Sequence, residues 1–211
     1  MTRKRILLLG LVCALLISSA AAFTDLPETN WAYPYASYLV DIGVMDAPGG
    51  AFDADVPITR GAFIDNLWRA LGGPMPYDME RATFEDVPMD AAYYTAVEWA
   101  AQTGVTTGTG GARFEPDLYL TREMAFCFLY RAMRVEGLLE DSSDHGQLDA
   151  FHDVDDIDSW ALDAMLSLYD MGIVSGTTDG YLMPLRDVTR AQTASLLFKL
   201  LESTDSGDTV G

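Results

Sequence analysis

Three arginines each stand one residue after a threonine at the mouth of an apolar stretch: Thr59-Arg60, Thr121-Arg122 and Thr189-Arg190. The stretches that follow superpose without a gap. Ile64, Leu67, Trp68 and Leu71 match Phe126, Leu129, Tyr130 and Met133, then Ala194, Leu197, Phe198 and Leu201. This i, i+3, i+4, i+7 spacing predicts three helices, each burying one stripe. A threonine just before such a helix predicts an N-cap, and Gln192 adds a capping box in the third copy. The arginine then falls at the first helical position, where the positive end of the peptide dipoles disfavours a cation. A cation kept there three times calls for an anion. One candidate is an internal carboxylate, with Asp25, Asp86 and Asp153 as partners. The other is an acidic ligand held by the guanidinium together with helix amides. The residues alone leave both open.

Catalytic chemistry finds less support. The two histidines, His145 and His152, lie in acidic surroundings, and no His-x-x-x-His or cysteine cluster suggests zinc. The run Asp153 to Asp158 begins like a calcium loop, but its sixth and twelfth positions hold Asp158 and Ala164 in place of Gly and Glu. Carboxylates are plentiful, yet a glycosidase pair is defined by its separation in space, which spacing along a chain does not give. The chain therefore reads as a non-enzyme with no cofactor and no metal site. Cys127 reads as a small buried hydrophobe, and no disulfide framework exists.

Charge narrows the ligand further. Thirteen basic residues stand against 32 acidic ones among 211, a formal net charge of −19. Arg3, Lys4 and Arg5, the apolar run Ile6 to Ile17 and Ala20-Ala21-Ala22 predict a signal peptide over 1–22, with an uncleaved anchor as the alternative. Losing those three basic residues takes the charge from −19 to −22. So acidic a chain argues against nucleic acid and against adhesion to anionic lipid. After cleavage, no other segment is apolar enough for direct membrane insertion. An anionic ligand then binds only at local basic points, which raises the weight of the three arginines.

The elements that position them recur at a period of roughly 60–70 residues. Each copy opens with Phe-x-Asp and Leu or Val: Phe23-Thr24-Asp25-Leu26, Phe84-Glu85-Asp86-Val87 and Phe151-His152-Asp153-Val154. Next come an aromatic (Trp31, Tyr93, Trp160) and a first helix, patterned on Tyr35, Tyr38, Leu39 and Ile42 and their counterparts. Gly43, Gly104 and Gly172 then stand where a helix should stop. The predicted organisation is repeat 1 over 23–72, repeat 2 over 84–136, repeat 3 over 151–202 and a polar tail over 203–211. The fold class is all-α, three helix–loop–helix units. Units of about 50 residues bury little surface alone, so three should share a core around a pseudo-threefold axis. Read by themselves, Trp31, Tyr93 and Trp160 favour covering that core over lining a sugar groove.

Taken in order and three times over, the opening Phe-x-Asp, the aromatic, the Gly-(Val/Ile) and the closing Thr-Arg resemble the S-layer homology family. The resemblance covers essentially all of the chain after the leader. Repeat 3 carries Asp179-Gly180 and Thr189-Arg190-Ala191-Gln192, and repeat 2 carries Phe114-Glu115-Pro116 and Thr121-Arg122-Glu123-Met124. Repeat 1 is the most divergent, with Phe52-Asp53-Ala54 and Thr59-Arg60-Gly61-Ala62. The resemblance implies a three-lobed spindle that holds an exported protein non-covalently on a bacterial cell wall. It implies a ligand, an anionic secondary cell-wall polysaccharide often bearing pyruvate ketals. It assigns Arg60, Arg122 and Arg190 as principal contacts, supported by Trp31, Trp160, Asp25, Asp86 and Asp153. Other surface proteins are the alternative partners, should the glycan grooves be partly degenerate.

Overall fold

All three threonine caps form. Thr59 Oγ1 accepts from the Ala62 amide at 3.3 Å, Thr121 Oγ1 from Met124 at 3.4 Å and Thr189 Oγ1 from Gln192 at 3.3 Å. Gln192 Oε1 accepts in return from the Thr189 amide at 3.1 Å, closing the capping box. In the computed structural model, which describes residues 23–139 and 145–206, these caps open the longer helices α2 (Arg60–Ala70), α4 (Arg122–Glu136) and α6 (Arg190–Ser206). Shorter helices precede them: α1 (Tyr33–Asp41), α3 (Tyr94–Thr103) and α5 (Leu162–Asp170). Gly43, Gly104 and Gly172 follow them with φ of +74°, +82° and +69°, left-handed values that glycine adopts without steric cost. The leader expected over 1–22 lies outside the described residues. Helix α6 continues to Ser206, inside the segment expected as a polar tail.

The helices of one repeat do not pack as a hairpin. Each first helix lies on the second helix of the repeat before it: α3 on α2, α5 on α4, and α1 on α6, which closes the ring. The backbone just ahead of the long helices closes a smaller ring. Leu120 N–H donates to Ile58 O (3.1 Å), Val188 N–H to Leu120 O (2.8 Å) and Ile58 N–H to Val188 O (3.0 Å). Three equivalent residues, each donating to the next, define a pseudo-threefold axis. Around it only isolated bridges form, Pro57 with Thr189, Thr59 with Tyr119 and Thr121 with Asp187. Among the described residues there are six α-helices and no strand, so the fold is all-α.

Ile58, Leu120 and Val188 are buried on this axis, with Phe63, Leu67, Phe126, Leu129 and Leu197 packed outward from it. Full burial of such a side chain contributes about 1.5–3 kcal/mol. The long helices bury more than the single stripe expected: Phe128 and Leu196 are also inside, because each long helix meets a first helix as well as a long neighbour. The stripe expected for α1 is partly wrong. Tyr38 and Ile42 are exposed, and Ala32, Ala36 and Leu39 form the buried face. Tyr38 instead sets its ring edge-on to Phe198 of α6, 5.3 Å between centroids. Cys127 is buried as expected, against Ala161 and Ala164 of repeat 3, and burial pushes its thiol up to about 11.

Candidate functional site

Asp25, Asp86 and Asp153 do the same local job. Each carboxylate accepts from two consecutive amides of its own repeat's later loop. Asp25 takes Phe52 (2.8 Å) and Asp53 (2.7 Å), Asp86 takes Phe114 and Glu115 (both 2.8 Å), and Asp153 takes Leu182 (2.8 Å) and Met183 (2.7 Å). The second residue of each pair is a non-glycine at positive φ: Asp53 +55°, Glu115 +58° and Met183 +53°. An L-residue there costs about 1–2 kcal/mol, and the paired charge-assisted bonds offset it. These amides, the Phe52 amide foremost, hold the Asp25 carboxyl below its ordinary range. Burial pushes the Asp86 carboxyl up, but the Phe114 and Glu115 amides outweigh it and the net shift is downward. None of the three carboxylates forms an ion pair with Arg60, Arg122 or Arg190, which sets aside the internal partners expected from sequence. Their bearing on a ligand is through the loop each one holds.

That loop receives the arginine of the preceding repeat. Arg60 Nε donates to Phe114 O (2.9 Å), Arg122 Nε to Leu182 O (2.9 Å) and Arg190 Nε to Phe52 O (2.7 Å). Each guanidinium also lies over an aromatic ring: Arg60 over Phe114 (4.8 Å) and Phe128 (5.1 Å), Arg122 over Phe126 (5.1 Å), Arg190 over Phe52 (5.0 Å). A carbonyl and a π-face therefore offset the cost of a cation at each helix start, joined at Arg190 by the Asp46 carboxylate. The first two amides of each long helix are also engaged. Arg60 and Gly61 donate to Leu118 O and Pro116 O, Arg122 and Glu123 to Arg186 O and Pro184 O, Arg190 and Ala191 to Val56 O and Ala54 O. Helix amides are thus closed to a ligand, contrary to the expected anion site. What is left is the guanidinium.

For Arg60 and Arg122, the two terminal nitrogens make no hydrogen bond to described residues, and each side chain lines a groove. The first groove, about 280 Å³, runs between Arg60, the loop Thr106–Thr109 and helix α4 at Met124, Cys127 and Arg131, with Trp160 on its wall. The second, about 170 Å³, lies between Arg122, Ile173–Ser175 and α6 at Gln192, Ser195 and Lys199, with Trp31 on its wall. Both grooves thus draw on all three repeats: arginine from one, loop and helix from the next, tryptophan from the one after. Trp31 and Trp160 are 58% and 47% exposed, so they wall grooves and do not cover the core. Tyr93, by contrast, is half-buried against the core. Trp160 is set by its indole N–H, which donates to Asp158 Oδ2 at 3.0 Å. Burial pushes the Arg60 guanidinium below its ordinary value, opposed by Glu115 and Asp86. Burial does the same to Arg122, aided by neighbouring Arg186 and opposed by Asp153. Both stay charged, because a guanidinium does not deprotonate in proteins.

Three further groove residues went unread in the sequence. Arg131 and Lys199 line the two grooves and donate to loop carbonyls, Arg131 to Val105 O (3.4 Å), Lys199 to Gly172 O (3.1 Å) and Ile173 O (2.9 Å). They stand ten residues after Thr121 and Thr189, as Arg69 does after Thr59, so the repeat register carried the signal. Asp46 is the third: its backbone oxygen accepts from Arg190 Nη2 at 2.6 Å and its carboxylate at 3.3 Å. Among the described residues, no cluster of three metal-ligating side chains occurs, and no helix is long and apolar enough to cross a membrane.

Residues 83–125 and 150–194 match the S-layer homology domain. An endoglucanase of Bacillus sp. (strain KSM-635) is 30% identical over 192 residues, 90% of this chain and 20% of that protein. An amylopullulanase of Thermoanaerobacterium thermosulfurigenes is 25% identical over 181 residues, 85% of this chain and 9% of that protein. An S-layer protein of Bacillus thuringiensis subsp. finitimus is 25% identical over 184 residues, 86% and 21%. The chain spans about a fifth or less of the length of these relatives.

Proposed function

With two of its repeats matching the S-layer homology domain, we propose that this chain is a three-repeat, non-catalytic module that anchors non-covalently at the bacterial cell surface. Its ligand is an anionic secondary cell-wall polysaccharide whose acidic substituents, pyruvate ketals among them, enter the grooves between repeats. The observation that carries this reading is the pair of permanently charged guanidinium groups, buried Arg60 and half-buried Arg122, which line grooves and whose terminal nitrogens make no hydrogen bond to described residues. A desolvated cation gains most from an anion that fits its fork of donors. The tryptophan on each wall offers an apolar face to the sugar ring beside that anion. A chain at −19 repels acidic polymer in general, so recognition rests on these points and not on the overall field.

The relatives support the same division of labour. An endoglucanase, an amylopullulanase and an S-layer protein differ in what their names describe, yet share this segment. A segment common to such unlike proteins is better read as an attachment module than as their catalytic part.

The test is co-sedimentation of the protein with isolated bacterial wall, before and after extraction of the secondary polysaccharide, beside Arg60→Ala/Arg122→Ala. Circular dichroism checks that the variant stays folded. A hydrogen bond to a charged group is worth about 1.5–3 kcal/mol, so losing one such site weakens binding roughly 10- to 100-fold. Binding that survives both the extraction and the double substitution overturns the reading.

A further inference from the structure

The surroundings of Arg190, equivalent by repeat register to Arg60 and Arg122, differ in charge from the two grooves described above. The threonine register sets Asp65 opposite Cys127 and Ser195, and Arg69 opposite Arg131 and Lys199. The register of Gly43, Gly104 and Gly172 sets Asp46 opposite Thr107 and Ser175. In the first two grooves these positions set neutral residues beside two cations, Arg60 with Arg131 and Arg122 with Lys199. At the equivalent positions around Arg190, both cations are matched. Asp46 holds Arg190 at 3.3 Å, and Asp65 holds Arg69 at 2.9 Å. The two carboxylates feel each other, since Asp46 adds to the burial that pushes the Asp65 carboxyl up. Asp46 also places its backbone oxygen 2.6 Å from Arg190 Nη2. That nitrogen is the counterpart of those on Arg60 and Arg122 that make no hydrogen bond to described residues.

We propose that Asp46 is a built-in anion that closes the Arg190 groove to acidic sugar, so that the module is divalent and binds through the Arg60 and Arg122 grooves only. This rests on the anchoring function proposed above and specifies its valence. An incoming carboxylate at Arg190 meets Asp46 and Asp65 as like charges, in a groove whose net side-chain charge is zero instead of two positive. Like-charge juxtaposition of this kind disfavours an acidic ligand. Two live grooves on one rigid body still confer avidity for a repeating polymer, because the second contact is intramolecular.

The experiment is an NMR titration that follows the three arginine Nε–H signals separately. The probe is a methyl hexoside carrying a 4,6-linked pyruvate ketal. In the unmodified protein the Arg60 and Arg122 signals shift, and Arg190 responds at least about tenfold more weakly, the equivalent of 1.4 kcal/mol. Asp46→Ser/Asp65→Ser brings Arg190 into the response. The converse, Thr107→Asp, installs the lock in the first groove and silences Arg60 while Arg122 still titrates. Arg190 moving with the same midpoint as Arg60 in the unmodified protein overturns the closed groove and leaves the anchoring function standing. An Arg60 response unchanged by Thr107→Asp also overturns it. No movement at any arginine overturns both.

Discussion

Removing the Asp153 carboxylate tests how the grooves are held. Its side chain lies in a residue only 9% exposed and accepts from Leu182 N–H at 2.8 Å and Met183 N–H at 2.7 Å. Leu182 is fully buried, Met183 sits at a φ of +53°, and Leu182 O receives Arg122 Nε. Asp153→Ala therefore strands a buried amide, frees a strained residue and loosens the carbonyl that positions a groove arginine. Each bond to an ionised acceptor is worth about 1.5–3 kcal/mol. Water can reach the Met183 amide, so the loss should be about 3–4 kcal/mol rather than the full double value. For a chain of this size, 1 kcal/mol moves the melting temperature about 2–4 °C, which predicts a fall of about 10 °C. Asp153→Asn keeps one acceptor and turns a donor against the second amide, so it falls between. Asp25→Ala removes the same pair from an exposed site, where water substitutes, and should cost about 1–2 kcal/mol. Scanning calorimetry on the four proteins reads the series. An Asp153→Ala shift equal to or smaller than that of Asp25→Ala refutes the clamp.

A Cβ at Gly176 would overlap the Phe151 ring, whereas at Gly104 it would meet nothing within 4 Å; urea unfolding should show Gly176→Ala losing about 3 kcal/mol and Gly104→Ala only the left-handed cost of about 1. The reverse order would contradict the close approach of loop and ring. Burial raises the Glu123 carboxyl above its ordinary range, with Asp158 opposing through its amide and then adding to the rise. The folded state thus holds that proton more tightly, and stability present below the unfolded value is lost as pH rises through the folded one. Glu123→Gln should remove this loss, so the melting curves of the two proteins diverge from about pH 4 upward, while parallel curves would count against it. Cys127, buried with its thiol near 11, should resist a thiol reagent at pH 8 until the protein is unfolded in urea. Prompt labelling of the folded protein would place the thiol at the surface.

Much of the fold was legible because its signals are local. Thr59, Thr121 and Thr189 cap helices through amides three residues on, and Gly104 ends α3 through its own φ, so both are written within one turn of chain. The fate of the arginines was not local. Arg60 Nε donates to Phe114 O and Arg122 Nε to Leu182 O, acceptors more than fifty residues away in the next repeat. Periodicity likewise misplaced Tyr38 and Ile42, because it marks an apolar face without saying whether another ring or the core will cover it. The tryptophans misled for the same reason: Trp31 and Trp160 leave their own repeat to wall a groove made by the other two. Asp46 was invisible until the repeats closed on each other, since it meets Arg190 across a separation of 144 residues.

Recognition of an acidic sugar is proposed to rest on Arg60 and Arg122, whose terminal nitrogens make no hydrogen bond to described residues. It is tested most directly by the affinity of the protein for extracted secondary wall polysaccharide, measured by calorimetry before and after mild acid strips the ketal-linked acids. The account predicts that affinity falls at least about tenfold when the acidic groups are gone. Unchanged affinity for the stripped polymer would contradict it.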